Sequence, residues 1–213
     1  MLKTSTLSPD TLNLLKNLSN ELDNFYLAGD TALAMYYQHR TSVDLGFFSE
    51  DNFDSLHLSH ELTTKGFILE DIRLSRGTLE CQINSVKVSF FEYPYRIIGN
   101  FSYFNSLKIA SVLDIAAMKL SAIAGKAEKK DYYDIVEILK RNDFMKIIEA
   151  FREKYGKEID LYHVIKALCY FEDVEDSPEP LNAKLTWDQV KNYLTKNCKT
   201  FFRLVEDRFK NEK

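Results

Sequence analysis

The chain has 213 residues, 45% of them hydrophobic and 28% charged, enough for one large folded domain or a compact domain with a helical appendage. A formal net charge of −4 excludes a global basic footprint for nucleic-acid binding and leaves a local patch as the only such route. With seven glycines, four prolines, no apolar run of about eighteen residues and no apolar leader, a low-complexity chain and a membrane partner are excluded, and the cytoplasm is the expected location.

Ser8 followed by Pro9 is a capping hydroxyl with proline at the first helical position. Leu12, Leu15, Leu18 and Leu22 then recur at helical spacing, predicting a first helix to about Leu22. Phe25 to Ala28 reads as a short buried strand stopped by Gly29. Asp30 or Thr31 is the expected cap of a second helix, Ala32 to about Tyr37, and Ser42 to Phe48 is the next strand. An amphipathic helix between Asp54 and Lys65 ends at Gly66. Phe67–Ile72, Thr78–Ile83 and Val86–Glu92 follow as strands, the last two joined by a tight turn at Asn84-Ser85.

After Tyr95 the pattern changes, and from Ser111 it is helical throughout: Val112–Ala124, Lys130–Lys140, Phe144–Tyr155, Leu161–Phe171 and Trp187 to about Lys210. The acidic, proline-bearing stretch Glu172–Pro180 is the candidate linker before the last helix. The expected class is α+β, with a mixed-sheet domain over residues 1–110 and a helical bundle over 111–213. Cys81, Cys169 and Cys198 are widely spaced, odd in number and outside any CxxC or Cys/His pattern, so they are expected as buried, reduced thiols. His57 and His60 share a helix face but have no third ligand nearby, which argues against a metal site there. Lys191, Lys196, Lys199, Arg203 and Arg208 on the final helix read as a solvated charged face rather than an RNA-binding stripe.

The chemistry-bearing stretch runs from Leu27 through Gly29, Asp30 and Thr31, then from His39 and Arg40 to Asp44, Gly46 and Phe48. It reads as strand, glycine turn, helix N-terminus, then a strand bearing a carboxylate. Glycine lets a phosphate approach the backbone, the helix N-terminus supplies N–H donors, and a carboxylate on the next strand can hold Mg²⁺ against the phosphates. The bland readings are a simple turn and an Asp44–Arg40 ion pair. Farther on, Lys130, Asp131 and Asp134 fall within one helical turn, with Asp131 and Asp134 on one face. There the bland reading is a solvated charged face.

These residues resemble the first motif of the nucleotidyltransferase superfamily, in its AbiEii/AbiGii toxin-like branch, which reads approximately L-x-G-G-T-A-L-A, then H-R-x-S-x-D-L-D-F-F-S. Asp114 to Ile123, with Met118 and Lys119, resembles the D-I-x-x-M-K-x-x-A-I block of that family. Lys130, Asp131 and Asp134 resemble its K-D-x-x-D block, and Val86–Phe91 resembles the strand between the two motifs. The matches span roughly residues 25 to 140. The resemblance implies a nucleotidyltransferase-like fold whose helical part completes the cleft. It also implies transfer of a nucleoside monophosphate from an NTP to an RNA acceptor, such as tRNA, or to a protein, and a cognate antitoxin as partner.

By the same resemblance Asp44, Lys119 and Asp131 are the candidate catalytic residues. Gly29, Asp30, Thr31, Arg40, Lys130 and Asp134 are candidates for nucleotide binding, and Asp44 with Asp30 for Mg²⁺. The pattern departs from the family in three places. Asp30 stands where the second turn glycine is expected and would repel an incoming phosphate. Gly46 replaces the second carboxylate of D-x-D. Ser89 stands where many polymerase-like transferases carry a third carboxylate. The alternative functions are therefore an inactive nucleotide- or RNA-binding module of the same fold and a helical interaction scaffold.

Overall fold

A computed structural model describes residues 2–157 and 159–210. The chain divides into two compact units, Met1–Ser111 and Val112–Lys213.

The first unit opens with α1 (Pro9–Leu18), capped as the sequence indicates, with the Thr11 N–H donating to Ser8 Oγ at 3.0 Å. The helix stops at Leu18, short of the expected Leu22, although Leu22 is still buried in the core. Then come β1 (Tyr26–Ala28), α2 (Gly29–Tyr37) and β2 (Leu45–Ser49). α3 (Ser55–Thr64) is capped by Asp54, which accepts from the His57 N–H at 2.9 Å. A meander follows of β3 (Leu69–Ser75), β4 (Thr78–Ile83) and β5 (Val86–Glu92). Asn84 and Ser85 both take positive φ, 52° and 62°, the backbone that a two-residue hairpin demands.

β6 (Ser102–Phe104) and β7 (Leu107–Ile109) form a hairpin that the sequence pattern does not announce. They are only three residues each, too short to show a period of two. The seven strands form one mixed sheet in the order β3-β4-β5-β2-β1-β7-β6. β2 runs parallel to β5 and β1 parallel to β7, and the other pairs are antiparallel.

Alternation along the strands sorts the sheet into two faces. Leu45, Phe47, Leu79, Cys81, Ile83, Val88 and Phe90 are buried on one face, with Phe47 stacked on Phe90 at 5.2 Å. α1 packs against β5 and α3 against β3 and β4. The opposite face carries Gly46, Phe48, Thr78, Glu80, Gln82 and Lys87, half-buried or exposed, and the buried Ser89.

The second unit is helical: α4 (Val112–Gly125), α5 (Lys129–Leu139), α6 (Phe144–Tyr155), α7 (Leu161–Leu168) and α8 (Trp187–Phe209). α4 packs on α5, α6 and α7, while α8 closes against α5, α6 and α7. A fully buried ion pair, Lys154 Nζ to Asp114 Oδ1 at 2.9 Å, ties α6 to α4. Trp187 seats α8 among Tyr132, Tyr133 and Phe171.

Two expectations need correction here. The stretch Glu172–Pro180 is a strap of this unit rather than a linker. Trp187 Nε1 donates to Glu175 Oε2 at 2.8 Å, the Tyr133 hydroxyl to Glu179 Oε2 at 2.9 Å, and Lys129 Nζ to the Glu175 carbonyl at 2.8 Å. Two of its carboxylates thus accept hydrogen bonds from the buried side chains of Trp187 and Tyr133. The thiol expectation holds only for Cys81, which is buried and free. Cys169, at the end of α7, and Cys198, on α8, are joined as a disulfide with their Cα atoms 6.2 Å apart, within the usual range for such a bond. Wide spacing along the sequence concealed a contact made by helix packing.

Candidate active site

In the first unit the site begins where β1 ends. Gly29 has φ +69° and opens α2 directly, a backbone that costs an L-residue with a Cβ roughly 1–2 kcal/mol. Ala28 is the cap and gives no side-chain hydrogen bond, so neither Asp30 nor Thr31 caps this helix as the sequence suggests. Both lie in its first turn and are used otherwise. Thr31 Oγ1 lies 2.8 Å from Ser42 Oγ and donates to the Asp44 carbonyl, so the Ser42 hydroxyl donates to Thr31. This chain of hydroxyls fixes the backbone of Asp44 against the first turn of α2.

Arg40, 4% exposed, holds Asp30 Oδ2 at 3.2 Å and donates to the Thr41 carbonyl at 3.2 Å. The partner of Arg40 is therefore Asp30, not Asp44. This pairing sets a positive charge beside Asp30 at the helix N-terminus. Asp44, half-buried one residue ahead of β2, is different. Among the described residues its carboxylate makes no hydrogen bond or ion pair.

In β2, Gly46 lies beside Ala28 of β1 and Ser89 of β5. A Cβ at Gly46 would meet Phe48 Cε2 at 3.3 Å and the Ala28 carbonyl at 3.9 Å. The nearer neighbour is the far edge of a ring, so the position is tight but not closed. Among the described residues no three His, Cys, Asp or Glu side chains gather closely enough to hold a metal ion.

In the second unit, α4 and α5 bring Lys119, Asp131 and Asp134 together. Lys119 Nζ is 2.8 Å from Asp131 Oδ1 and 2.7 Å from Asp134 Oδ2, with Asp134 wholly buried. The second oxygen of Asp131 accepts from the Glu128 N–H at 2.9 Å, satisfying a donor at the start of α5. The i, i+3 spacing of the two aspartates therefore grips one buried ammonium, and the solvated-face reading does not hold for them. Lys130 pairs with Glu128 at 2.9 Å. Tyr132, next to Asp131, has its hydroxyl pushed up to about 12 by burial, with the charges of Asp131 and Asp173 adding to it.

The family described as nucleotidyl transferase AbiEii toxin, type IV toxin–antitoxin system, matches residues 80–210. The chain belongs to the AbiEii nucleotidyltransferase toxin family. The match begins on β4, so the Gly29–Phe48 stretch precedes it. The uncharacterized protein aq_aa25 of Aquifex aeolicus (strain VF5) is 35% identical over 188 residues, covering 84% of this chain and 88% of its own. The fold resembles the crystal structure of JHP933 from Helicobacter pylori, with a TM-score of 0.59 and 18% identity over 95% of this chain and 96% of that one. It also resembles MenT4, a nucleotidyltransferase toxin of Mycobacterium tuberculosis, with a TM-score of 0.55 and 15% identity over 87% and 80% of the two chains. Among the described residues no helix is long and apolar enough to cross a membrane.

Glu80 is not among the residues that the sequence singles out. This residue stands on β4 opposite Ser89, and no motif spacing along the chain points to it. The alternation of Thr78–Ile83 places it on the face of Gln82 and Thr78, but only the register shows which β5 residue it adjoins.

Proposed function

We propose that this AbiEii family member transfers a nucleoside monophosphate from an NTP to an RNA or protein acceptor. The observation that carries the reading is the hydrogen bond from Thr31 to the Asp44 carbonyl, which fixes the backbone of a residue with an unengaged carboxylate against the first turn of a helix opened by glycine. Helix N–H groups and dipole favour the phosphates. Mg²⁺ characteristically takes one or two carboxylates together with substrate phosphates, so Asp44 suits an ion that arrives with the nucleotide. Asp30, held by Arg40, serves to balance charge at the turn. The family's description as a type IV toxin–antitoxin system supports a cognate antitoxin protein as partner, and Lys119 with Asp131 and Asp134 supports the fold from within the helical unit.

The test is incubation of the purified chain with α-labelled NTPs, Mg²⁺, total tRNA and a protein extract. Label should pass to one acceptor class, and Asp44→Ala should abolish the transfer. A nucleotide-induced rise in Tm without transfer to any acceptor would identify a binding module instead. Neither transfer nor a rise in Tm would identify a scaffold. Gly46→Asp, whose added Cβ would press on the Phe48 ring, should raise the rate if the missing second carboxylate limits it.

A further inference from the structure

The sheet row through Gly46 and Ser89 does not end at β5. Gly46 pairs with Ser89 across β2 and β5, Ser89 with Glu80 across β5 and β4, and Glu80 with Arg73 across β4 and β3. Residues directly opposite in adjacent strands point to the same face, and in an antiparallel pair such as β4–β5 their Cβ atoms are about 4.5–5.5 Å apart. A glutamate side chain is long enough to bring its carboxylate over the neighbouring serine. Among the described residues, the Glu80 carboxylate has no hydrogen bond or ion pair to hold it elsewhere. It lines a cleft of about 370 Å³ with Asp71, Arg73, Gln82 and Lys87. Gln82 is committed to Asp71, donating to its Oδ2 at 2.7 Å. Arg73 and Lys87 leave positive charge on the rim.

We propose that Glu80 is the general base of the transfer, serving from β4 the place that Ser89 leaves without a carboxylate on β5. The inference rests on the nucleotidyltransferase reading given above. In this step the acceptor hydroxyl oxygen bonds to the α-phosphorus of the NTP. The bond from that phosphorus to the bridging oxygen breaks, and pyrophosphate leaves with the electron pair. The hydroxyl proton passes to the Glu80 carboxylate. Asp131 is a poorer base, since one of its oxygens holds Lys119 and the other the Glu128 N–H.

Glu80→Gln tests this in the full chain, with α-labelled NTP and with total tRNA and protein extract as acceptors. Turnover should fall about 100-fold, the usual worth of a positioned base, with the nucleotide-induced rise in Tm unchanged and the acid limb of the pH–rate profile lost. Adding Ser89→Asp to Glu80→Gln should recover part of the rate, because it returns a carboxylate to the same row. Glu70→Gln, at an exposed position of β3, should behave as wild type. Glu80→Gln activity within threefold of wild type, alongside an inactive Asp44→Ala, overturns the proposal and leaves the transferase reading standing. Loss of the nucleotide-induced rise in Glu80→Gln, or no recovery on adding Ser89→Asp, also overturns it. No transfer by the wild-type chain to either acceptor class overturns both.

Discussion

Replacing Lys119 by methionine keeps most of the side-chain volume and removes the charge between two buried carboxylates. Both Asp131 Oδ1 and Asp134 Oδ2 lie within 2.8 Å of the same ammonium nitrogen, so they are no farther from each other than about twice that distance. At an effective dielectric of about 20, two unit charges so placed repel by roughly 3 kcal/mol.

The expected loss is therefore about 3 kcal/mol, in line with other broken buried ion pairs. Asp134→Asn should cost less, because Lys119 keeps Asp131. Urea unfolding, with m checked for constancy, measures this. A loss below about 1 kcal/mol refutes the placement of Lys119 as the neutralising centre of the helical unit.

Gly29→Ala should lower stability by about 1 kcal/mol and Tm by about 2–4 °C. No atom lies within 4 Å of the added Cβ, so the cost is in the positive φ alone, and thermal melting checks it. The folded-state pKa of Glu175 is lowered from 4.5 by the Trp187 hydrogen bond first and Lys191 second. Its stabilisation is thus complete above pH 4.5 and is lost as pH falls through the lowered value. The Tm difference between wild type and Glu175→Gln should be constant above pH 4.5 and shrink on further acidification. Cys198→Ser should cost about 3.5 kcal/mol under oxidising conditions, from a loop closure of 29 residues, and nothing in excess reductant. Paired denaturant titrations with and without reductant decide it.

Elements whose signal is local were legible in the sequence. Ser8, Asp54 and the Asn84-Ser85 turn act through atoms a few residues away, and each is used as its chemistry predicts. α6 was legible end to end because its apolar stripe is unbroken. What escaped depends on packing. The Cys169–Cys198 contact, the use of Glu175 and Glu179 as acceptors and the short β6–β7 hairpin arise from elements distant in sequence or too brief to show a period. In the site, the positions of Gly29 and Asp44 could be read from spacing, but not their partners. That Arg40 takes Asp30 rather than Asp44 is decided by how the chain folds between α2 and β2.

The same distinction governs the missing carboxylates. A D-x-D motif works because residues two apart on a strand share a face, and these are separated by about 6.7 Å along the strand. Residues side by side on neighbouring strands share a face at only about 4.8 Å, yet no motif written along one strand can record them. Gly46 and Ser89 therefore look like two independent losses in the sequence and like adjoining squares of one row in the sheet. The next square on that row is occupied by Glu80. Whether the site is depleted or has moved one strand over is a question about the row, and a carboxylate exchanged between β4 and β5 answers it where a count of motif residues does not.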